Sequence, residues 1–444
     1  MTTLYLSNCL TVTGASDSDI RKLYAMFTYP NPKFIEAAQQ GRYTGNIPKE
    51  INLTEINNDG SLHLPIGLFE QTLNQLNNVE VVHDQRSELH VTIPFNGTLF
   101  DYQQSFVDEM LRNFSGIGVM PTGAGKTISA LNLCSRLSQR TLILVKSKAL
   151  ANQWIENIKS FTGCQPGLIG GGKNAEGVEF TVALIQTMVK RDVSNLNYGH
   201  VICDECHQIP ALNAYKVING INAKHKTGLT ATVKRRDKME FLLFSSIGGV
   251  SSEQSEEVVK GKVLPVTVHT VKFPSLEFDS WQNYSTAVGS NKCRNDWIKQ
   301  QAVTSKTNVL ILCTTTEHCE NLKKEFVETQ SVCIHGKLNT KDTELALTVL
   351  PFSRYVISTY SYFSEALDYP HLQTVILAGA VSARIDKGED YSAVRLVQSI
   401  GRCRRIFGDQ KETIVIDIQD QCKFGKSAAS KRRSIYKKKG FKIL

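Results

Sequence analysis

Apolar residues along the chain fall into two series of short, nearly unbroken runs separated by longer amphipathic stretches. The first series is GIGVM (Gly116–Met120), TLILV (Thr141–Val145), FTVAL (Phe180–Leu184), HVICD (His200–Asp204) and KTGLT (Lys226–Thr230). The second is NVLILC (Asn308–Cys313), SVCIH (Ser331–His335), YVIST (Tyr355–Thr359), TVILA (Thr374–Ala378) and TIVID (Thr413–Asp417). Runs of this kind, alternating with helical stretches, predict strands buried on both faces in a parallel sheet covered by helices. The expected fold class is α/β, with two tandem parallel-sheet domains over residues 95–247 and 284–420.

The flanking segments have a different texture. Residues 1–94 contain a helix start in SDSDIRKLYAMF, a strand-then-helix stretch in SLHLPIGLFEQTLNQL and an alternating ELHVTIP. These predict a small N-terminal α+β accessory domain. Residues 248–283 open on the polar, Gly/Ser-rich GGVSSEQSEEVVKGKVLP, expected as a linker leading into the extended VTVHTVKF. Residues 421–444 are expected as a basic C-terminal tail.

Composition narrows the class. Of 444 residues, 41% are hydrophobic, enough for large cores. No apolar run reaches the ~18 residues of a membrane-spanning helix, and MTTLYLSNCLTV lacks the basic start of a signal peptide. A soluble, cytoplasmic and monomeric protein with no membrane contact is expected. The 11 cysteines show no disulfide framework. Cys203 and Cys206 have C-x-x-C spacing, but no second pair or histidine cluster follows at zinc spacing, so no zinc is expected.

The net charge of +9 has an address. QCKFGKSAASKRRSIYKKKGFKIL, from Gln421 to Leu444, carries nine Lys/Arg and no acid, which leaves the rest of the chain neutral. With Tyr436 interleaved, Lys431, Arg432, Arg433, Lys437 and Lys438 are expected to contact a phosphate backbone. The alternative is a solvated, frayed terminus.

VMPTGAGKTISA (Val119–Ala130) carries the most specific chemistry. Small residues between a strand and a helix let backbone N–H groups face phosphates, and Thr122, Gly123, Ala124 and Gly125 provide that loop. Lys126 would reach the β/γ-phosphates and the Thr127 hydroxyl would hold Mg²⁺. Met120 stands where the usual outer glycine of this loop would be. VICDECHQIP (Val201–Pro210) ends a strand on adjacent carboxylates, with Asp204 expected on the metal and Glu205 on the attacking water.

PTGAGKT, DECH, LTAT (Leu229–Thr232) and QSIGRCRR (Gln398–Arg405) resemble motifs I, II, III and VI of superfamily-two helicases, in that family's order. Motif I of the family commonly lacks the outer glycine. The resemblance implies RecA-like domains, with ATP and Mg²⁺ as cofactors bound between them. It places Gln103, in LFDYQQSFVDEML, on the adenine. It makes Gln398, Arg402 and Arg405 catalytic, both arginines reaching the γ-phosphate from one helix face. Thr230, Thr232 and His207 are implied as coupling residues. LVKSKALANQW, LIGGGK and ALIQT resemble motifs Ia, Ib and the strand end beyond, implying nucleic-acid contacts at Ser147, Gly170, Gly171, Lys173, Gln186 and Thr187. Trp154 in the first of these reads as core in preference to a stacking platform. STYSYFSEALDYP resembles motif V, with Thr359 on the strand and Asp368 near the nucleotide, and Ala366 replaces the usual glycine.

LVKSKALANQW, IGGGK, YKKKGF and the leading YPNPKFIEAAQQGRY are similar to the UvsW-like phage branch-migration helicases. That likeness implies an ATP-dependent helicase acting on branched DNA, forks or four-way junctions, with residues 1–94 as its DNA-binding accessory domain. An RNA helicase and a non-hydrolytic nucleic-acid clamp are the alternatives.

Overall fold

In the computed structural model, all residues are described except 1, 77, 114, 210, 234, 236, 256, 259–260, 328–329, 367–368, 370, 382–390 and 407. The chain divides into two compact units, one of Met1–Pro121 with Gly125–Ser255 and one of Thr122–Ala124 with Glu256–Leu444.

The first unit holds an 8-stranded sheet in the order Lys173–Asn174, Gly167–Gly170, Phe180–Leu184, Thr141–Val145, His200–Asp204, His225–Thr230, Ser115–Val119, Val250–Glu253. All neighbours pair in parallel except the short Lys173–Asn174 edge. The apolar runs sit where the pattern placed them: the Thr141–Val145 and His200–Asp204 strands are buried at every position. The start of the expected linker is different. Val250–Glu253 pairs with Ile117–Val119 as an edge strand, and its serines hide a buried position, Ser252, that bonds Glu109 Oε2 at 2.5 Å. ELHVTIP also departs from expectation, forming only an isolated bridge between His90 and Gln139.

The N-terminal residues build a 5-stranded sheet ordered Glu55–Ile56, Leu62–Pro65, Cys9–Thr13, Thr2–Leu6, Val79–Asp84. It is not a free-standing accessory domain. Its core (Leu4, Leu10, Leu23, Phe27, Leu62) continues into Ala211, Met239 and Leu242 of the large sheet's helical layer. Tyr29 stacks on Phe241 with ring centroids 4.4 Å apart. Gly67 lies so close to the Glu240–Ile247 helix that a Cβ there would sit 2.5 Å from the Phe244 carbonyl. The sheet therefore clamps the helices that follow the DECH and LTAT segments.

The second unit is a 7-stranded, all-parallel sheet: Ser331–Ile334, Tyr355–Thr359, Asn308–Cys313, Leu372–Leu377, Thr413–Asp420, Val266–Phe273, Lys442–Ile443. The last strand comes from the segment expected as a tail. Before it, Lys423–Lys438 is a helix whose Ala428, Ala429, Arg432, Ile435 and Tyr436 are buried. Arg432 pairs with the buried Asp417 at 2.6 Å, and Tyr436 donates to the same carboxylate at 2.8 Å. Residues 421–444 are thus an integral layer of this unit.

Candidate functional site

Three strands of the first unit end side by side. Val119 pairs with Thr230, and Leu229 pairs with Asp204, so PTGAGKT, LTAT and DECH emerge at the carboxyl edge of one parallel sheet. That edge is where open α/β sheets place their ligand crevices. Gly123 and Gly125 turn the loop with φ of 86° and 87°, conformations that L side chains resist. The loop delivers Lys126 to the first turn of the Lys126–Leu137 helix, where free backbone N–H groups and the helix dipole favour an anion. Gln103 is 4% exposed and packs against this loop: a Cβ on Gly125 would fall 2.2 Å from its amide nitrogen. Its carbonyl oxygen also accepts the Phe100 N–H at 3.0 Å, fixing the side chain at its own helix start.

Around the DECH turn the charges are close. Lys126 Nζ stands 3.8 Å from Glu205 Oε1, and Glu205 Oε2 stands 3.4 Å from His207 Nδ1. Glu205 has φ 45°, a left-handed conformation uncommon outside glycine. Backbone strain of this kind, about 1–3 kcal/mol, persists where surrounding contacts over-determine it. Those contacts include Arg235, which donates to the carbonyls of Cys206 and His207 at 3.0 Å each and of Ile209 at 2.8 Å.

Asp204 is 7% exposed, and burial first, then the neighbouring Glu205 charge, raise its carboxyl above the usual range. Its two oxygens accept the Glu205 N–H at 2.9 Å and the Trp154 indole N–H at 2.8 Å. Carboxylate oxygens retain a second lone pair each, so this donor set together with the Thr127 hydroxyl fits a hard, oxygen-seeking cation. Burial lowers His207 to about 4, keeping it neutral. The Thr230 hydroxyl donates to the Thr232 carbonyl at 2.5 Å and sits 2.7 Å from His207 Nδ1. With its proton committed to Thr232, Thr230 must accept from His207, which places the imidazole proton on Nδ1.

Cys203 and Cys206 are both buried, and burial raises the Cys203 thiol to about 12 and Cys206 well above its ordinary value. Among the described residues the group of potential metal donors that comes together lies elsewhere: Glu320, Cys333 and His335, with His335 Nε2 2.7 Å from the Glu320 carboxylate.

The motif Ia and Ib residues converge. Ser147 caps the Lys148–Thr162 helix, and Gly171 lies beside the exposed Lys148, where a Cβ would be in ordinary van der Waals contact with its chain at 3.5 Å. Gly170 and Gly171 adopt φ of 125° and 59°, and Lys173 is exposed beside them. Gln186 is exposed and Thr187 half-buried in the Ile185–Met188 turn. Lys148, together with Lys146, which bonds Gln208 beyond the DECH turn, was not singled out by sequence.

In the second unit Thr359 is 5% exposed, and its hydroxyl accepts the Tyr362 N–H at 3.3 Å, capping the next helix. Asp368 lies outside the described residues. Gln398 is buried on the Tyr391–Arg402 helix. The two arginines do not share a helix face, because the helix ends at Arg402. Tightened turns carry the chain out of it, Cys403 N–H to Ile400 and Arg404 N–H to Gly401. Arg404 is then held by Leu264 through two hydrogen bonds, of 2.7 and 3.0 Å, which leaves Arg405 exposed past the end. In the C-terminal helix Arg433, Lys437 and Lys438 are exposed and Lys431 half-buried, whereas Arg432 faces inward on Asp417 and is no backbone contact.

Comparison with known proteins matches residues 96–235 to the family "Type III restriction enzyme, res subunit" and residues 294–407 to "Helicase conserved C-terminal domain". The "Probable helicase D10" of Escherichia phage T5 is 25% identical over 336 residues, 72% of this chain and 71% of that protein. The "DNA 3'-5' translocase XPB2" of Sulfurisphaera tokodaii is 32% identical over 167 residues, 37% of this chain and 38% of that protein. The crystal structure of T4 UvsW covers 100% of this chain and 98% of its own at 19% identity, with a TM-score of 0.44.

Proposed function

We propose, from the premise that the chain belongs to the superfamily-two helicases, that it is an Mg²⁺-dependent DNA translocase that remodels branched DNA at the expense of ATP. The observation that carries the ATPase part is the convergence of Lys126, Asp204, Glu205 and the His207–Thr230 pair on one sheet edge. Magnesium, when bound with ATP, supplies positive charge to the phosphates, and Asp204 and Thr127 are the residues that would hold it. Gly123–Gly125 and the helix start bind the phosphates through backbone N–H groups. Lys126 neutralises the terminal phosphates. Glu205, held between Lys126 and His207, orients the attacking water and takes its proton. Arg402 and Arg405 add charge to the transferring phosphoryl group, and Gln103 reads the adenine edge.

DNA is the favoured track because the Sulfurisphaera relative is named a DNA translocase. Ser147, Lys148, Gly171 and Lys173 supply backbone-type contacts that do not discriminate sequence. Branched DNA is the favoured substrate because the N-terminal sheet is braced on the motor, and the Pro32–Gln39 helix between its strands, with the loop that follows, presents a pocket of about 260 Å³ lined by Lys33, Glu36, Arg42 and Tyr43. Tyr43 is 81% exposed there, a surface suited to stacking an unpaired base beside two cations.

The test is ATP hydrolysis and strand separation across single-stranded DNA, single-stranded RNA, linear duplex, forks and four-way junctions. Stimulation greatest on forks and junctions is expected, and Tyr43→Ala should reduce that preference while leaving stimulation by single strands. Stimulation by RNA alone would establish the RNA-helicase reading instead. Equal activity on linear and branched DNA would leave a generic helicase.

A further inference from the structure

Trp154 lies 50 residues before Asp204 in sequence, on the Lys148–Thr162 helix, and is 1% exposed. A buried indole N–H requires an acceptor, and a backbone carbonyl of the surrounding layer would serve a purely structural tryptophan. Here the acceptor is Oδ2 of the carboxylate at the tip of the motif II strand, at 2.8 Å. The other oxygen takes the Glu205 N–H at 2.9 Å, so two fixed donors define the plane of the carboxylate. An indole can only donate, so it occupies one lone pair of Oδ2 and leaves the other for a further partner. The same helix begins at Ser147, and Lys146 just before it bonds Gln208 just beyond Asp204 and Glu205. The motif Ia segment is thus tied to motif II at two points.

We propose that Trp154 is a positioning residue for the cation site, its indole N–H holding Asp204 in the orientation that receives Mg²⁺ with ATP. This rests on the reading of Asp204 as the cation's carboxylate. A phenylalanine would fill nearly the same space and remove the donor, leaving Oδ2 to rotate. Outer partners of metal ligands contribute roughly 10–100-fold to metal affinity.

The experiment is calorimetric ATP binding to the full chain at varied Mg²⁺ and in EDTA, for wild type, Trp154→Phe, Asp204→Asn and the double variant. Trp154→Phe is expected to raise the half-saturating Mg²⁺ on the order of tenfold while leaving affinity in EDTA unchanged. The double variant should be no weaker than Asp204→Asn, since both changes remove one interaction. An equal loss with and without Mg²⁺, or no shift, overturns the proposal. Wild-type protein without Mg²⁺-dependent ATP binding would overturn the nucleotide-site reading itself, a different result. The chain has three tryptophans, so Trp281→Phe/Trp297→Phe leaves Trp154 native as sole emitter. Its emission should change with Mg²⁺–ATP and not with ATP in EDTA, and an unchanged spectrum overturns the assignment even where Trp154→Phe does not fold.

Discussion

The Thr230 hydroxyl joins two segments that lie far apart in sequence, standing 2.7 Å from His207 Nδ1 while donating to the Thr232 carbonyl. It also accepts the Thr232 N–H at 3.1 Å, so one oxygen organises both the end of DECH and the start of the chain beyond LTAT. Changes felt at Glu205 therefore have a bonded route into motif III. Thr230→Val keeps the shape and removes the one oxygen that accepts from both His207 and the Thr232 N–H. Unwinding is expected to fall more than hydrolysis, seen as a rise of several-fold in ATP consumed per base pair separated. The melting temperature should also fall, since buried donors left without acceptors cost about 1–3 kcal/mol each.

Lys126→Ala is expected to abolish measurable hydrolysis, because it removes the cation that stands 3.8 Å from Glu205 Oε1 at the phosphate loop and would neutralise the terminal phosphates. Glu205→Gln should bind ATP but turn it over about 10²–10⁴-fold more slowly, the usual contribution of a positioned base. Single-turnover hydrolysis and equilibrium nucleotide binding separate the two variants. Turnover by Lys126→Ala near the wild-type rate would remove the motor assignment.

These contacts differ in how far sequence could disclose them. PTGAGKT and DECH are contiguous, and their chemistry lies in residue type and order, so both segments were legible. Each apolar strand was also legible, because burial on two faces leaves an unbroken run. Trp154–Asp204 and Lys146–Gln208 were not, since their partners are 50 and 62 residues apart and the motif Ia segment does not disclose which side chain its residues bond. The N-terminal sheet's packing on Met239 and Leu242 was hidden for the same reason. The C-terminal helix was concealed differently. Its buried stripe, Ala428, Arg432, Ile435 and Tyr436, has helical spacing, but an arginine occupies a core position. Charge there signalled solvent, and only the distant Asp417 reverses that reading.

Arg405→Ala should lower turnover on the order of a thousandfold while changing ATP affinity little, as for charges that act on the transferring phosphoryl group. Steady-state kcat beside direct nucleotide binding tests this. Equal losses in both would mark a ground-state contact.

Lys226 is buried without an acidic partner among the described ion pairs, donating to the Ile218 carbonyl at 2.9 Å. Burial lowers it from 10.5 to about 7. The folded state thus binds fewer protons at this site than the unfolded state between those values, so this lysine makes stability rise with pH across about pH 7 to 10.5. Below pH 7 both states are charged and its penalty is complete. Lys226→Met should therefore raise the melting temperature most at or below pH 7, with the gain shrinking towards pH 10. A gain independent of pH would mean packing alone is responsible.

The C-terminal helix allows stability and nucleic-acid binding to be separated on one element. Arg432 reaches Asp417 through Nε and Nη2 and donates Nη1 to the Val381 carbonyl at 2.7 Å, all out of solvent. Removing one member of a buried pair strands the other, so Arg432→Met is expected to destabilise the second unit by about 3–5 kcal/mol. Pairing it with Asp417→Leu should recover much of that loss. Deleting 421–444 should unfold the unit outright, because it also removes the Lys442–Ile443 strand. Arg433, Lys437 and Lys438 face the other way and can be neutralised to glutamine without touching the core. If they contact duplex phosphates, each loss should flatten the dependence of log K on log salt by about 0.9, with the melting temperature unchanged. An unchanged slope in the triple variant would confine this helix to a structural role and leave the motif Ia and Ib surface as the nucleic-acid contact.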